Sequence, residues 1–154
     1  MSNDVIWRWP LQIRRLILGI AFATVGQADG SERVAEPMPD FERLAAAVIA
    51  NLTPQERATS AAYLNERAEG SGATTIGGRS FVLDNPYAVA FVDQKPGANW
   101  MHPCRYMLID LSTDHITSFD SNRPPVFGIL PSTWHVIAKP PGLQEWQLIR
   151  IAPL

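Results

Sequence analysis

The sequence predicts an α+β domain in which an N-terminal helical hairpin packs on a mostly antiparallel sheet of about six strands. Two observations lead to this prediction. Apolar side chains recur at helical spacing over residues 40–69, and they recur with period two over residues 79–152, in short runs separated by turn residues. Helices that precede the strands, instead of alternating with them, indicate the α+β class.

Residues 1–28 are predicted to be a signal peptide. Arg14 and Arg15 precede an uncharged apolar run over residues 16–25, and the small residue Ala28 offers a cleavage position. The run is shorter than the roughly 20 residues that a membrane span requires. We therefore expect a periplasmic or secreted protein without a transmembrane segment. The alternative is an uncleaved cytoplasmic chain whose first helix belongs to the fold.

Residues 29–39 contain two prolines and no apolar period, so they are predicted to be a linker before a single domain at 40–154. The chain of 154 residues carries a net charge of −2, with 13 basic and 15 acidic side chains. This balance lacks the basic excess that is typical of nucleic-acid-binding proteins, so no nucleic-acid partner is expected.

The helical hairpin is predicted from cap residues as well as from periodicity. Asp40 is expected to cap the first helix. Thr53 and Glu56 form a capping-box pattern at the start of the second helix, and Gly70 is expected to end it. Residues 70–78 are then interpreted as a flexible connector, because their glycines do not follow the spacing of a nucleotide-binding loop.

The strands are predicted from period-two runs bounded by turn residues. The run at 87–93 is apolar on both faces, which indicates a central strand. Ala88 and Ala90 make one of its faces small, and we expect the helical hairpin to pack there. The six predicted strands are RSFVLD, YAVAFVD, CRYMLIDL, HITSF, TWHVIA and EWQLIRI.

Cys104 is the one cysteine of the chain, and it invites two interpretations. It begins a strand that is apolar on both faces, so we expect a buried packing residue whose thiol is protonated. The alternative is a thiol hydrolase or transferase in which Cys104 is the nucleophile, His135 the base and Asp110 the residue that orients the base.

No metal or other cofactor is expected. The soft metal-ligand candidates are His102, Cys104, His115 and His135, and their spacing follows no known zinc pattern. A metal site would need three or four of these side chains to converge, and the alternative that stays open is that His102 and Cys104 at one loop end meet His135 on a neighbouring strand.

Aromatic and arginine side chains near strand ends predict a binding surface for a protein or a small ligand, because these residue types concentrate at interfaces. Trp146 and Arg150 are further members of this group. The sequence thus favours a small exported, non-enzymatic binding or interaction domain. The predicted binding residues are Trp100, His102, Arg105, Arg123, Phe127 and Trp134.

Overall fold

The computed structural model describes residues 40–126 and 128–154. The predicted signal peptide and linker, at 1–39, and the predicted binding residue Phe127 lie outside the described residues. In the described ranges, no helix combines the length and apolarity that crossing a membrane requires. The elements are α1 (Phe41–Ala50), α2 (Pro54–Thr59), β1 (Ala61–Asn65), β2 (Gly72–Ile76), β3 (Arg79–Leu83), β4 (Tyr87–Asp93), β5 (Cys104–Asp110), β6 (Ile116–Ser121), β7 (Ile129–Leu130), β8 (Trp134–Ala138), a 3-10 turn (Glu145–Gln147) and β9 (Arg150–Ile151).

The α+β class and the mostly antiparallel sheet are confirmed. Five strands form one sheet in the order β6-β5-β4-β1-β8, and every neighbouring pair is antiparallel. The predicted central strand is β4, all seven residues of which are buried. Two small two-stranded sheets accompany it, β2 with β3 and β7 with β9. The predicted sheet of about six strands was therefore not exact, because the main sheet has five strands and the other four described strands form two separate pairs.

One face of the five-stranded sheet is covered by α1. Leu44 and Val48 are fully buried on this face, in one apolar cluster with Ala88 and Ala90. The expected approach of a helix to the small face of β4 is confirmed for α1. The small side chains of Ala88 and Ala90 let the helix lie close to the sheet. Each methylene group buried in this contact contributes about 0.8 kcal/mol.

The opposite face carries a row of aromatic side chains across four strands. Tyr63, Phe91, Tyr106 and Phe119 are successive cross-strand partners on β1, β4, β5 and β6. Their ring centroids are 5.9, 5.3 and 5.4 Å apart along the row, within the range in which aromatic pairs attract. The β2–β3 hairpin and the C-terminal segment 143–151 cover this face.

The predicted helical hairpin is wrong, because the second helix ends at Thr59 and residues 61–65 form the strand β1. The capping box of this helix is confirmed: Thr53 and Glu56 exchange both expected hydrogen bonds. Asp40 does occupy the N-cap position of α1, but its carboxylate makes no capping bond and instead accepts from Arg43 Nε at 2.7 Å.

Two further segments differ from prediction. The expected connector at 70–78 contains β2, which pairs with β3, so the predicted strand RSFVLD joins this hairpin instead of the main sheet. Gly77, in the turn, has φ +57°, and a Cβ there would lie 2.6 Å from the ring of Tyr106. At the C-terminus the predicted strand EWQLIRI is a 3-10 turn followed by the two-residue β9.

Candidate functional site

A cleft of about 400 Å³ opens beside the aromatic face, where β4 ends and β5 begins. One wall is the loop 97–102 between these strands. A second wall is the loop after β6, and the third is the C-terminal segment 146–150. The residues that line the cleft are Asp93, Gly97, Ala98, Asn99, Trp100, His102, Pro124, Val126, Gly128, Ile129, Trp146, Gln147, Leu148, Ile149 and Arg150.

Large apolar side chains are exposed at this cleft. Trp100 is 80% exposed and Trp146 is 78% exposed, and each belongs to a different wall. Ile129, on the wall that follows β6, is also exposed. Exposed tryptophans gain from burial when a ligand or partner covers them, so their concentration here makes the cleft the candidate binding site.

The buried pair Asp93 and His102 lies at the inner end of the cleft. His102 Nε2 is 3.0 Å from Asp93 Oδ1, and the two side chains are 6% and 1% exposed. This separation is within ion-pair range, but the ring is not oriented for a hydrogen bond, and Nε2 has no hydrogen-bond partner among the described residues. The contact is therefore an electrostatic one between two buried side chains.

The other ring nitrogen fixes the orientation of His102. Nδ1 lies 2.6 Å from the backbone oxygen of Trp100. Because a carbonyl oxygen only accepts, Nδ1 must carry a proton and donate it to this bond. The same bond holds the loop that presents the Trp100 indole to the cleft.

Asp93 ends β4 and caps the turn that follows. Its Oδ1 accepts from the backbone N–H of Lys95 at 2.9 Å. Burial raises the pKa of Asp93 above its ordinary value, although the Lys95 N–H and the positive charge available on His102 act against this shift. The carboxyl group is thus held where its negative charge has only partial compensation.

The C-terminal wall is attached to the sheet through Tyr63. The backbone N–H of Ile149 donates to Tyr63 Oη at 3.0 Å, and burial raises the pKa of Tyr63 to about 12, so the hydroxyl is a neutral phenol at physiological pH. Gly97, at φ +84°, brings the opposite wall close, since a Cβ on it would lie 3.6 Å from the Gln147 side chain. Both tryptophan-bearing walls are therefore held by specific contacts.

Arg150 adds a positive charge to the cleft. It lies on β9 opposite Ile129, and it is exposed. No ion pair or side-chain hydrogen bond of Arg150 is found among the described residues. Its guanidinium group is available to a ligand.

Cys104 lies beside this site but does not line it. It is fully buried, stands opposite Asp93 in the β4–β5 register, and donates from Sγ to the backbone oxygen of Ser121 at 3.2 Å. Burial raises the pKa of Cys104 to about 11, and the nearby carboxylate of Asp93 acts in the same direction. This environment favours the protonated thiol.

The structure does not bring the alternative catalytic residues together. His135 lies on β8, which is separated from β5 by β1 and β4 in the sheet. Its ring contacts Phe41 of α1, on the opposite face of the sheet from Cys104. It pairs instead with Glu66 at 2.7 Å. Asp110 caps the turn after β5, where burial opposes its charge but bonds from neighbouring groups outweigh burial and lower its pKa.

Of the predicted binding residues, Trp100 and His102 line the cleft, while three others have other surroundings. Arg105 donates to the buried Glu56 from Nε at 2.8 Å and from Nη2 at 2.6 Å. Trp134 is buried among the apolar side chains of the aromatic face. Arg123 is exposed, and its side chain lies over Gly78.

Asp93 lines the cleft but was not among the predicted binding residues. It ends a run of alternating apolar residues just before the turn segment QKPGAN, a position typical of a turn-capping aspartate. Trp146 and Arg150 belonged to the predicted aromatic and arginine group, but nothing in their spacing indicated that the C-terminal segment folds back beside Trp100.

In the described part of the chain, no group of three or more histidine, cysteine, aspartate or glutamate side chains is arranged to hold a metal ion. No protein-family model, no curated protein and no solved structure matches the chain. The cleft between the two exposed tryptophans remains the feature of the described residues on which a function can be argued.

Proposed function

We propose that this protein is a non-enzymatic binding domain that holds a small organic ligand in the cleft between Trp100 and Trp146. The observation that supports the proposal is the exposure of both indoles at one concave site. The volume of about 400 Å³ lies in the range of about 300–1,000 Å³ that is typical of small-molecule sites. The polar pair His102 and Asp93 at its inner end supplies the few specific groups that such sites use.

A binding role fits the chemistry of the site better than catalysis does. The buried thiol of Cys104 is outside the cleft lining and has a raised pKa, whereas a nucleophile needs an activating base within hydrogen-bond reach. The walls that carry the tryptophans are instead held by bonds to Tyr63 and to the Trp100 backbone. Preorganised walls lower the entropic cost of binding.

We further propose that the domain acts in the periplasm or outside the cell, on the basis of the apolar run at 16–25 that follows Arg14 and Arg15. Mass spectrometry of the protein from its native host should find a chain that starts near residue 29. Recovery of the full-length chain from the cytoplasm would contradict this part of the proposal.

Thermal unfolding in the presence of small aromatic compounds tests the binding function. A ligand that binds only the native state raises the melting temperature. We expect compounds that stabilise the wild-type protein and the Val82→Ala variant but not the Trp146→Ala variant. Val82 is a matched control, because it is exposed on β3 and is not among the cleft-lining residues. The proposal is contradicted if no compound stabilises the protein, or if Trp146→Ala responds as the wild type does.

A further inference from the structure

The charge that a ligand meets in the cleft is positive. Among the described lining residues, three side chains can carry charge: Asp93, His102 and Arg150. Asp93 is 1% exposed, and its Oδ1 already contacts His102 Nε2 and the Lys95 N–H. Arg150 is exposed and unpaired among the described residues. The accessible charge is therefore that of the Arg150 guanidinium.

The acidic residue nearest to this wall in sequence does not neutralise Arg150. Glu145 immediately precedes Trp146, but its carboxylate is paired with Lys139. An exposed guanidinium beside apolar surface is well suited to a carboxylate, because its planar fork donates two parallel hydrogen bonds and its charge is only weakly hydrated.

From this arrangement we infer that the ligand is a small carboxylic acid with a flat apolar body. The carboxylate binds Arg150, and the apolar body lies against the indoles of Trp100 and Trp146. This inference rests on the proposed binding function and specifies the ligand class of the same cleft. Aromatic and aliphatic bodies both gain from covering the indoles, while the carboxylate determines the orientation of the ligand.

The main competing assignment is that the ligand is an organic cation. Two tryptophans attract organic cations through their ring faces, and a buried carboxylate is present. Against this assignment, Asp93 is buried and already paired with His102. A cation in the cleft would also be repelled by Arg150. The two assignments predict opposite orders of affinity for matched probes.

Three probes of nearly the same size distinguish the assignments: phenylacetate, phenylacetamide and phenethylamine. Isothermal titration calorimetry of the full chain at pH 7 should give the tightest binding for phenylacetate, about five- to tenfold tighter than for the neutral amide, as expected for one charge-assisted contact. Phenethylamine should bind most weakly. Equal affinity for phenylacetate and phenylacetamide, or tightest binding of phenethylamine, would overturn the inference.

The arginine is tested with Arg150→Gln, which should abolish the preference for phenylacetate while leaving affinity for phenylacetamide within about twofold. Arg67→Gln removes an exposed arginine outside the cleft lining and should keep the preference. If Arg150→Gln does not fold, Arg150→Lys, which keeps the charge but loses the fork, should show a reduced preference. An unchanged preference in the variant that folds overturns the inference.

The same titrations separate the two levels of the argument. If phenylacetamide binds and phenylacetate binds no more tightly, the inference about the carboxylate fails and the binding function stands. If none of the three probes binds up to its solubility limit, and no compound stabilises the protein thermally, both fail.

Discussion

His102 Nε2 lies 3.0 Å from Asp93 Oδ1 in a pair that is almost completely buried, while His102 Nδ1 bonds to the backbone of Trp100. The pair therefore connects a buried carboxyl group at the end of β4 with the loop that presents an exposed indole. Because Nδ1 must donate to the Trp100 carbonyl oxygen, Nε2 is the ring nitrogen that faces Asp93. The stability of this end of the sheet and the position of Trp100 depend on the same contact.

The variant His102→Ala tests this connection. It leaves Asp93 buried without its side-chain partner, and we expect a loss of about 1–3 kcal/mol of unfolding free energy at pH 7, measured by urea denaturation. Adding Asp93→Asn should restore part of the loss, because the amide carries no charge. A double variant that is no more stable than His102→Ala would show that the carboxylate is not the source of the cost.

The same variant should change the pH dependence. Burial raises the pKa of Asp93, so its contribution is fully present below the ordinary aspartate pKa and is lost as the pH rises through the raised value. Removing His102 removes an interaction that lowers this pKa, so the unfolding free energy of His102→Ala should fall relative to wild type between about pH 4 and pH 7. A constant difference over this range would contradict the argument.

The buried pair Glu56 and Arg105 should dominate the acid side of the stability curve. Burial works against the charge of Glu56, but hydrogen bonds from Arg105, Thr53 and Gln94 outweigh it and lower the pKa. A lowered pKa means that the stabilisation is present above the ordinary value of 4.5 and is lost as the pH falls through the native value.

We therefore expect Glu56→Gln to lose about 2–3 kcal/mol of unfolding free energy at pH 7 and to show a flatter decline below pH 4.5 than the wild type. Glu42→Gln, at an exposed position in the first turn of α1, is the matched control and should change stability by less than about 0.5 kcal/mol. The explanation fails if the two variants have the same acid dependence.

The packing of α1 on the sheet is tested by Ala90→Leu. Ala90 is fully buried against the helix, so the larger side chain should overpack this contact and cost about 1–3 kcal/mol. Ala46→Leu places the same side chain on an exposed position of α1 and should be nearly neutral. Equal urea midpoints for the two variants would contradict the packing of α1 against Ala90.

Cys104 is expected to react slowly with iodoacetamide in the native protein and rapidly in denaturant. Its thiol is fully buried and its pKa is raised to about 11, so little thiolate forms at neutral pH. Cys104→Ala should cost on the order of 1 kcal/mol of stability and leave ligand binding intact. Rapid labelling of the folded chain would instead indicate an exposed, activated thiol.

The segment 60–69 shows why the second helix was not predicted correctly. Alanine, leucine, glutamate and arginine all favour a helix, but their propensities differ from those of strand formers by only tenths of a kcal/mol per residue. In the structure, all five residues of β1 are buried, with Tyr63 on the aromatic face and Leu64 on the helix face. Pairing of β1 with strands on both sides outweighs the local helix propensity. This pairing depends on distant residues and cannot be seen in the sequence of the segment itself.

The cleft was predictable only in part, for a related reason. Trp100 and His102 were predicted as binding residues at a strand end, and both line the cleft; whether they bind a ligand stays a prediction. The approach of Trp146 and Arg150 depends on the bond from Ile149 to Tyr63, which joins residues 86 positions apart. Arg105 and Trp134 were predicted to bind a partner, but burial and an ion pair with Glu56 give them roles within the fold.

The most direct test of the binding site is an indole N–H spectrum of the full chain labelled with 15N-tryptophan and titrated with phenylacetate. The cleft is lined by Trp100 and Trp146, whereas Trp134 is buried outside it. We expect the signals of Trp100 and Trp146 to shift together along one saturating curve, while the signal of Trp134 remains unchanged. Unchanged signals of both cleft tryptophans at saturating probe, or a shift of Trp134 alone, would contradict the assignment of this cleft as the ligand site.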